Sequence, residues 1–452
     1  MTQNTVNNIR RVDTLIHARW IIPVNADRDL LEYHSLAIQG ERIIDILPTT
    51  DIAGHYQATQ EHNLDRHVLI PGFVNAHGHA AMSLFRGLAD DLPLMDWLNN
   101  HIWPAESHWV NEEFVHDGTR LAVAEMIRCG TTTCSDHYFY SDAAATAISN
   151  AGMRAQIVSL ILDFPSTWAR DANDYIEKAL ATHERFHNHP LIQVGFGPHA
   201  PYTLGDEHLK KIADLAEQLD LPLQMHIHES TDEINQAIEK DGRRPIQRLA
   251  DLDFLSPRLQ CVHMTWMNES DYSLITRNGC HVVHCPESNL KLASGFMPLN
   301  RMQQEGINVA LGTDGCASNN DLDMLGEMRT AALLAKATGH DATALSAHEA
   351  LAAATVNGAR AMGIGDQTGS LENGKLADVA AFALDDIENH PLYHPVSQLV
   401  YTATRNQATH VWVSGRLLMD NRHLTTLDES SLIANARQWQ KRIAGRAQEA
   451  RA

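Results

Sequence analysis

HVLIPGFVNAHGH, residues 67–79, decides the fold. A short run of branched apolar residues breaks at Pro71-Gly72, resumes at Phe73-Val74, and stops at two histidines one residue apart, His77 and His79. Seven further runs of the same kind follow it: TTTCSDH (131–137), AQIVSLILD (155–163), IQVGFGPH (192–199), LPLQMHIHE (221–229), LQCVHMT (259–265), HVVHCPES (281–288) and NVALGTD (308–314). Short, nearly continuous apolar runs suit strands of a parallel sheet covered on both faces. Amphipathic segments such as DEHLKKIADLAEQL (206–219) and DEINQAIEKDGRRPIQRLA (232–250) lie between them and read as the covering helices. Eight β/α units predict an α/β fold, a (β/α)8 TIM barrel, over residues 68–363. The longest excursion falls between the first and second runs.

Outside the barrel the pattern changes. Residues 13–25 (DTLIHARWIIPVN) and 34–48 (HSLAIQGERIIDILP) are β-rich and broken by turns, and 369–384 and 408–418 read the same way, with Gly and Asn at the turns. The simplest assembly is one small β-sandwich made by both chain ends, residues 1–67 and 364–425, with a C-terminal helix over 426–452.

The chain of 452 residues carries 35 Lys and Arg against 56 Asp and Glu, a formal charge of −21. That surplus repels polyanions, so neither nucleic acid nor a phospholipid surface is an expected partner. The first residues lack an apolar core before a small-residue cleavage site, and no stretch of about 18 apolar residues offers a membrane span; a cytoplasmic location is expected. Six cysteines, Cys129, Cys134, Cys261, Cys280, Cys285 and Cys316, form no CxxC pair, which argues for reduced, buried thiols over a disulfide framework or thiolate zinc site.

In a TIM barrel the site sits where strands end and the following loops begin. His77 and His79 end the first run, His199 the fourth, His226 and Glu229 the fifth, His263 the sixth and Asp314 the eighth. Alternate strand residues share a side, so His77 and His79 can reach one ion. His226 adds a third imidazole and Asp314 a hard oxygen. Each has a plainer explanation taken singly: loop histidines, a core histidine on a carbonyl, a turn aspartate. Together they point to one metal site. Glu229 is placed to shuttle protons between water and substrate, its alternative being an acid at a helix start. His263 can hydrogen-bond the attacking water, or serve as a structural histidine at the barrel mouth. A second ion at His281, His284 and Cys285 is not expected, because bridged two-metal barrels use a carboxylated lysine at a strand end and no run ends in Lys.

PGFVNAHGH, GFGPHAPYT, MHIHES, HCPESNLKLASG and GTDGCASNN together resemble the amidohydrolase superfamily, specifically its methylthioadenosine/S-adenosylhomocysteine deaminase and triazine-hydrolase branch, over nearly the whole chain. The resemblance implies one divalent ion, usually Zn2+, on His77, His79, His226 and Asp314. It implies hydrolytic deamination of 5′-methylthioadenosine, S-adenosylhomocysteine or adenosine, with Asp314, Glu229 and His263 catalytic. The alternative in the same fold is a deaminase of guanine or another free base, or a triazine hydrolase. Within the long excursion DDLPLMDWLNNHIWPAESHW (90–109), Glu106 matches the position that holds the ribose hydroxyls; His199 matches another substrate contact, and Trp97 and Ser318 are further candidates. A family arginine that assists the substrate has no matching motif, although Arg154 and Arg170 lie in the region. The implied partner is a small nucleoside, and the implied assembly a homo-oligomer, dimer or tetramer.

Overall fold

The computed structural model describes residues 9–449; the first eight residues, where the absence of a leader was read, and the last three, at the end of the expected C-terminal helix, lie outside it. Four strands open the chain: β1 (Arg10–Ile21), β2 (Leu31–Gln39), β3 (Arg42–Pro48) and β4 (Tyr56–Pro71). Eight follow as β5 (Phe73–Asn75), β6 (Thr131–Tyr138), β7 (Arg154–Ile161), β8 (Ile192–Pro198), β9 (Leu223–Ile227), β10 (Leu259–His263), β11 (His281–His284) and β12 (Val309–Leu311). Four more close the fold, β13 (Val379–Ala383), β14 (Ala408–Val413), β15 (Arg416–Asp420) and β16 (His423–Leu424), before a helix over Glu429–Glu449.

Strands β5 to β12 stand in sequence order in one sheet, each parallel to the next, with helices between them. Each of the eight predicted runs contributes one of these strands. Past the ends of β5 and β12 the first and last runs meet: Ala76 N–H donates to Leu311 O at 2.9 Å and Asp314 N–H to His77 O at 3.1 Å. This joins the edges into a barrel and sets His77 beside Asp314.

The opening stretch is divided between two sheets. Val68, Leu69 and Ile70 are fully buried in β4, where they pair with β13. Only Phe73–Asn75 enter the barrel sheet. The hinge is Gly72, whose N–H donates to Asp378 O at 3.0 Å and whose Cα faces Thr132 so closely that a Cβ would sit 2.0 Å from its methyl. No side chain fits there.

The two chain ends meet as expected. Their strands form one continuous mixed sheet in the order β16-β15-β14-β13-β4-β1-β2-β3, with only β1 and β4 parallel. The sheet curls back on itself, as Gly374 N–H to Ile43 O at 2.7 Å and Ile43 N–H to Lys375 O at 2.9 Å show. Ile16, Leu36, Ile43, Leu69, Val379 and Trp412 then fill a core of its own. Arg154 joins this body to the barrel: its Nε and Nη2 donate to Asp378 at 3.0 and 3.3 Å in a buried pair. It therefore lies at the start of β7, away from the barrel mouth. Arg170 is exposed and pairs with Asp174 at 3.1 Å.

All six cysteines are free and buried. No helix among the described residues is long and apolar enough to cross a membrane.

Candidate active site

At the mouth of the barrel His77, His79 and His226 bring ring nitrogens within 4.8 Å of one another. Nε2 of His226 lies 3.2 Å from Nε2 of His77, and Asp314 Oδ1 lies 3.5 Å from His77 Nε2 and 3.2 Å from His79 Nε2. The far nitrogens decide the tautomers. Nδ1 of His79 faces the carbonyl of His137 at 2.6 Å and Nδ1 of His226 that of His199 at 2.8 Å, while Nδ1 of His77 faces Gln224 Oε1 at 2.7 Å. Each acceptor claims the Nδ1 proton, so three Nε2 lone pairs and a carboxylate oxygen point at one spot. Such a set repels itself unless a cation lies among it, and N3O chemistry suits a divalent ion of the zinc type. The residues fit the implied metal. Burial pushes His77 down to about 4 and His226 well below the usual range, keeping both neutral. Burial would lower His79 too, but Asp314 and the His137 carbonyl outweigh it and raise it, so the field here favours a cation.

Asp314 sits in left-handed backbone, φ 60°, unusual for a residue with a side chain. Gly315 N–H donates to its Oδ1 at 2.8 Å, and Ser288 and Ser318 hydroxyls donate to Oδ2 at 2.6 and 2.9 Å. Burial opposes its charge, yet His77 and His79 hold it well below the usual carboxylate range. Ser318 lines the cavity and spends its hydroxyl on this carboxylate.

Glu229 follows β9, and burial with Asp314 nearby pushes its carboxyl up to about 8. Its N–H and that of His228 donate to the two oxygens of Glu233 at 2.8 and 3.0 Å, which fixes the turn carrying it. His263 ends β10 with φ 76°; its Nε2 lies 3.8 Å from Glu229 Oε2 and its Nδ1 2.8 Å from Asn289 Oδ1. Glu229 and His263 line one cavity of about 250 Å³, together with Glu106, His199, Trp97, Leu160, Leu162 and Phe164. Glu106 is buried, accepts the Tyr138 hydroxyl at 2.7 Å on Oε1, and is pushed up to about 7 chiefly by burial. His199 is pushed down to about 3 by burial and by His79 and His77, and its Nδ1 has no hydrogen-bond partner among the described residues. Trp97 is buried, and its Nε1 likewise has no hydrogen-bond partner among the described residues. All ten candidate residues thus fall in one place.

Sequence reasoning missed four neighbours. His137, at the end of the second run, stacks on His226 with ring centres 5.1 Å apart and planes 6° apart. Its position at a strand end was a readable signal. Gln224, two residues before His226 on the same side of β9, was another. Ser288 and Tyr138 carried none. His284 is buried, pushed down to about 3 by burial and His263, and belongs to no second metal cluster among the described residues.

Comparison with known proteins gives one family. The profile of the Amidohydrolase family matches residues 68–418. A 5-methylthioadenosine/S-adenosylhomocysteine deaminase of Saccharophagus degradans is 50% identical over 97% of this chain and 98% of its own. One from Teredinibacter turnerae is 48% identical over 97% and 99%. Among solved structures, an adenosine deaminase from Xanthomonas campestris with bound zinc superposes with a TM-score of 0.96 at 46% identity, covering 97% of this chain and all of the other. A triazine hydrolase variant at 22% identity and TM-score 0.88, covering 94% of this chain and 99% of its own, shares the fold. The convergent histidines and aspartate, the barrel that carries them and these matches lead to one conclusion: the chain belongs to the amidohydrolase family.

Proposed function

We propose that this chain is a hydrolytic deaminase of adenine nucleosides, with 5′-methylthioadenosine and S-adenosylhomocysteine its foremost substrates. The observation that carries the reading is Glu106, a buried carboxylate in the same cavity as His79, His226, Asp314 and Glu229. A bare base has no use for it. A ribose presents two hydroxyls to donate. The deaminases of Saccharophagus degradans and Teredinibacter turnerae, similar over nearly their whole length, support the same substrates.

His77, His79, His226 and Asp314 would hold one divalent ion, zinc by the resemblance. Such an ion supplies Lewis acidity, enough to bring the pKa of water to about 7. Asp314, kept ionised, accepts the proton released as water adds to the amino-bearing ring carbon. Glu229, protonated at neutral pH, donates to the adjacent ring nitrogen and disperses the charge that develops there. His263 directs its Nε2 at the water. Proton return to the amino group releases ammonia and leaves the keto, inosine-type product. Glu106 accepts the ribose hydroxyls, His199 contacts the substrate, and Trp97 walls the pocket. On the same resemblance the enzyme is a homo-oligomer, dimer or tetramer, a state that sedimentation reads directly.

The test follows the adenine-to-hypoxanthine absorbance change with methylthioadenosine, S-adenosylhomocysteine, adenosine, adenine and guanine in parallel, using zinc-loaded protein. Turnover of the thionucleosides, lost in Glu229→Gln, is expected. Turnover of a free base alone refutes the role of Glu106.

A further inference from the structure

Three imidazoles converge on the metal-ligand set, and each ring is oriented by its far nitrogen. For His79 and His226 the acceptor is a backbone carbonyl, supplied by the fold whatever the side chain. His77 depends on a side chain, Gln224. We propose that Gln224 is a positioning residue of the metal centre: the end of a buried glutamine relay that holds His77 in the tautomer with an unprotonated Nε2. The proposal rests on reading the three histidines and Asp314 as a metal site.

The relay's polarity follows from backbone carbonyls, which only accept. Gln260 Nε2 donates to Ala361 O at 2.9 Å, so its amide oxygen faces the other way, where it accepts Gln224 Nε2 at 2.7 Å. Gln224 Nε2 also donates to Ala76 O at 3.0 Å. With its nitrogen committed to these partners, Gln224 turns Oε1 to His77 Nδ1 at 2.7 Å. An amide oxygen cannot donate, so the proton on that contact belongs to Nδ1 and the lone pair to Nε2. Reversing the Gln224 amide would set its oxygen against Ala76 O and push the His77 proton onto Nε2, into the face of the other donors. Gln224 and Gln260 are fully buried, so no water competes for these bonds. The fold therefore selects the ligand form of His77 before any ion arrives.

The test is zinc affinity, read by competition with a chromophoric chelator, for wild type, Gln224→Met and Gln156→Met. Methionine keeps the volume and removes the strong acceptor. Gln156 bonds Gln260 and Ser135 in the same network without touching His77, so its variant reads the general effect of breaking buried amide bonds. Gln224→Met is expected to weaken zinc binding about 10- to 100-fold, with Gln156→Met within about threefold of wild type. Zinc binding by Gln224→Met within about twofold of wild type, or equal weakening in both variants, overturns the proposal. Wild-type protein that takes up no zinc refutes instead the metal reading beneath it. Should Gln224→Met fail to fold, nitrogen NMR of zinc-loaded wild type decides: a protonated, exchange-protected His77 Nδ1 is expected, and a proton-free Nδ1 overturns the relay.

Discussion

Glu106→Gln changes one atom in the cavity and leaves its shape alone. In the native protein Oε1 takes the Tyr138 hydroxyl at 2.7 Å, which leaves Oε2 for a ligand. The amide can still accept from Tyr138, but it then presents NH2 where the ribose hydroxyls need an acceptor. The loss is one charge-assisted hydrogen bond, about 1.5–3 kcal/mol, or about 10- to 150-fold in kcat/KM. Initial rates with methylthioadenosine, followed by absorbance, should show that loss mainly in KM. The pH dependence adds a second signature. Burial pushes the Glu106 carboxyl up to about 7, so the accepting, ionised form accumulates as pH rises through that value. KM of the wild type should fall across this range, and the variant should lack the change. A loss under about threefold, or a KM profile that persists in Glu106→Gln, refutes the assignment of Glu106 to the ribose.

Glu229 is pushed up to about 8, so its donating form is present at neutral pH and is lost as pH rises through about 8. kcat should fall along that limb, and Glu229→Gln, which cannot release a proton, should lower kcat about 10²- to 10⁴-fold with zinc content unchanged; a variant with near-native kcat would remove Glu229 from the mechanism. Dialysis against a chelator should abolish turnover and lower the melting temperature, with zinc restoring both in wild type but not in His226→Ala. Asp378→Ala strands the buried Arg154 guanidinium between barrel and terminal sheet and should destabilise the fold by about 3–5 kcal/mol, read as a lower urea midpoint, with kcat/KM of the folded fraction unchanged. An unmoved midpoint would show that the pair does not hold the two bodies together.

Seven of the ten candidate residues were legible because they end strands, while Glu106, Trp97 and Ser318 came from the family resemblance. A strand's period of two puts His77 and His79 on one side, and barrel topology puts strand ends at one mouth. The seven strand-end candidates therefore fell together without any knowledge of distance. The residues that orient them were less legible: Ser288 reaches Asp314 from the start of a short helix, and Tyr138 reaches Glu106 across a gap of 32 residues. A serine or tyrosine in a helix or strand gives no sign of which carboxylate it will meet.

By itself the sequence determined the element types and the ring of eight runs, and marked the strand-end residues proposed to hold the ion and to move protons, because hydrophobic period and nearest-neighbour spacing are local properties. Only tertiary structure decided where 67–79 changes sheets, since Gly72 is required by contact with Thr132, far along the chain. Only tertiary structure set the tautomer of His77, through a partner 147 residues away. Only tertiary structure moved Glu229 and Glu106 towards neutral pH, by burying both and setting Asp314 near Glu229. Pairing, protonation and pKa depend on which distant atoms the closed barrel brings within about 3 Å and on the water it excludes, and no spacing along the chain encodes either.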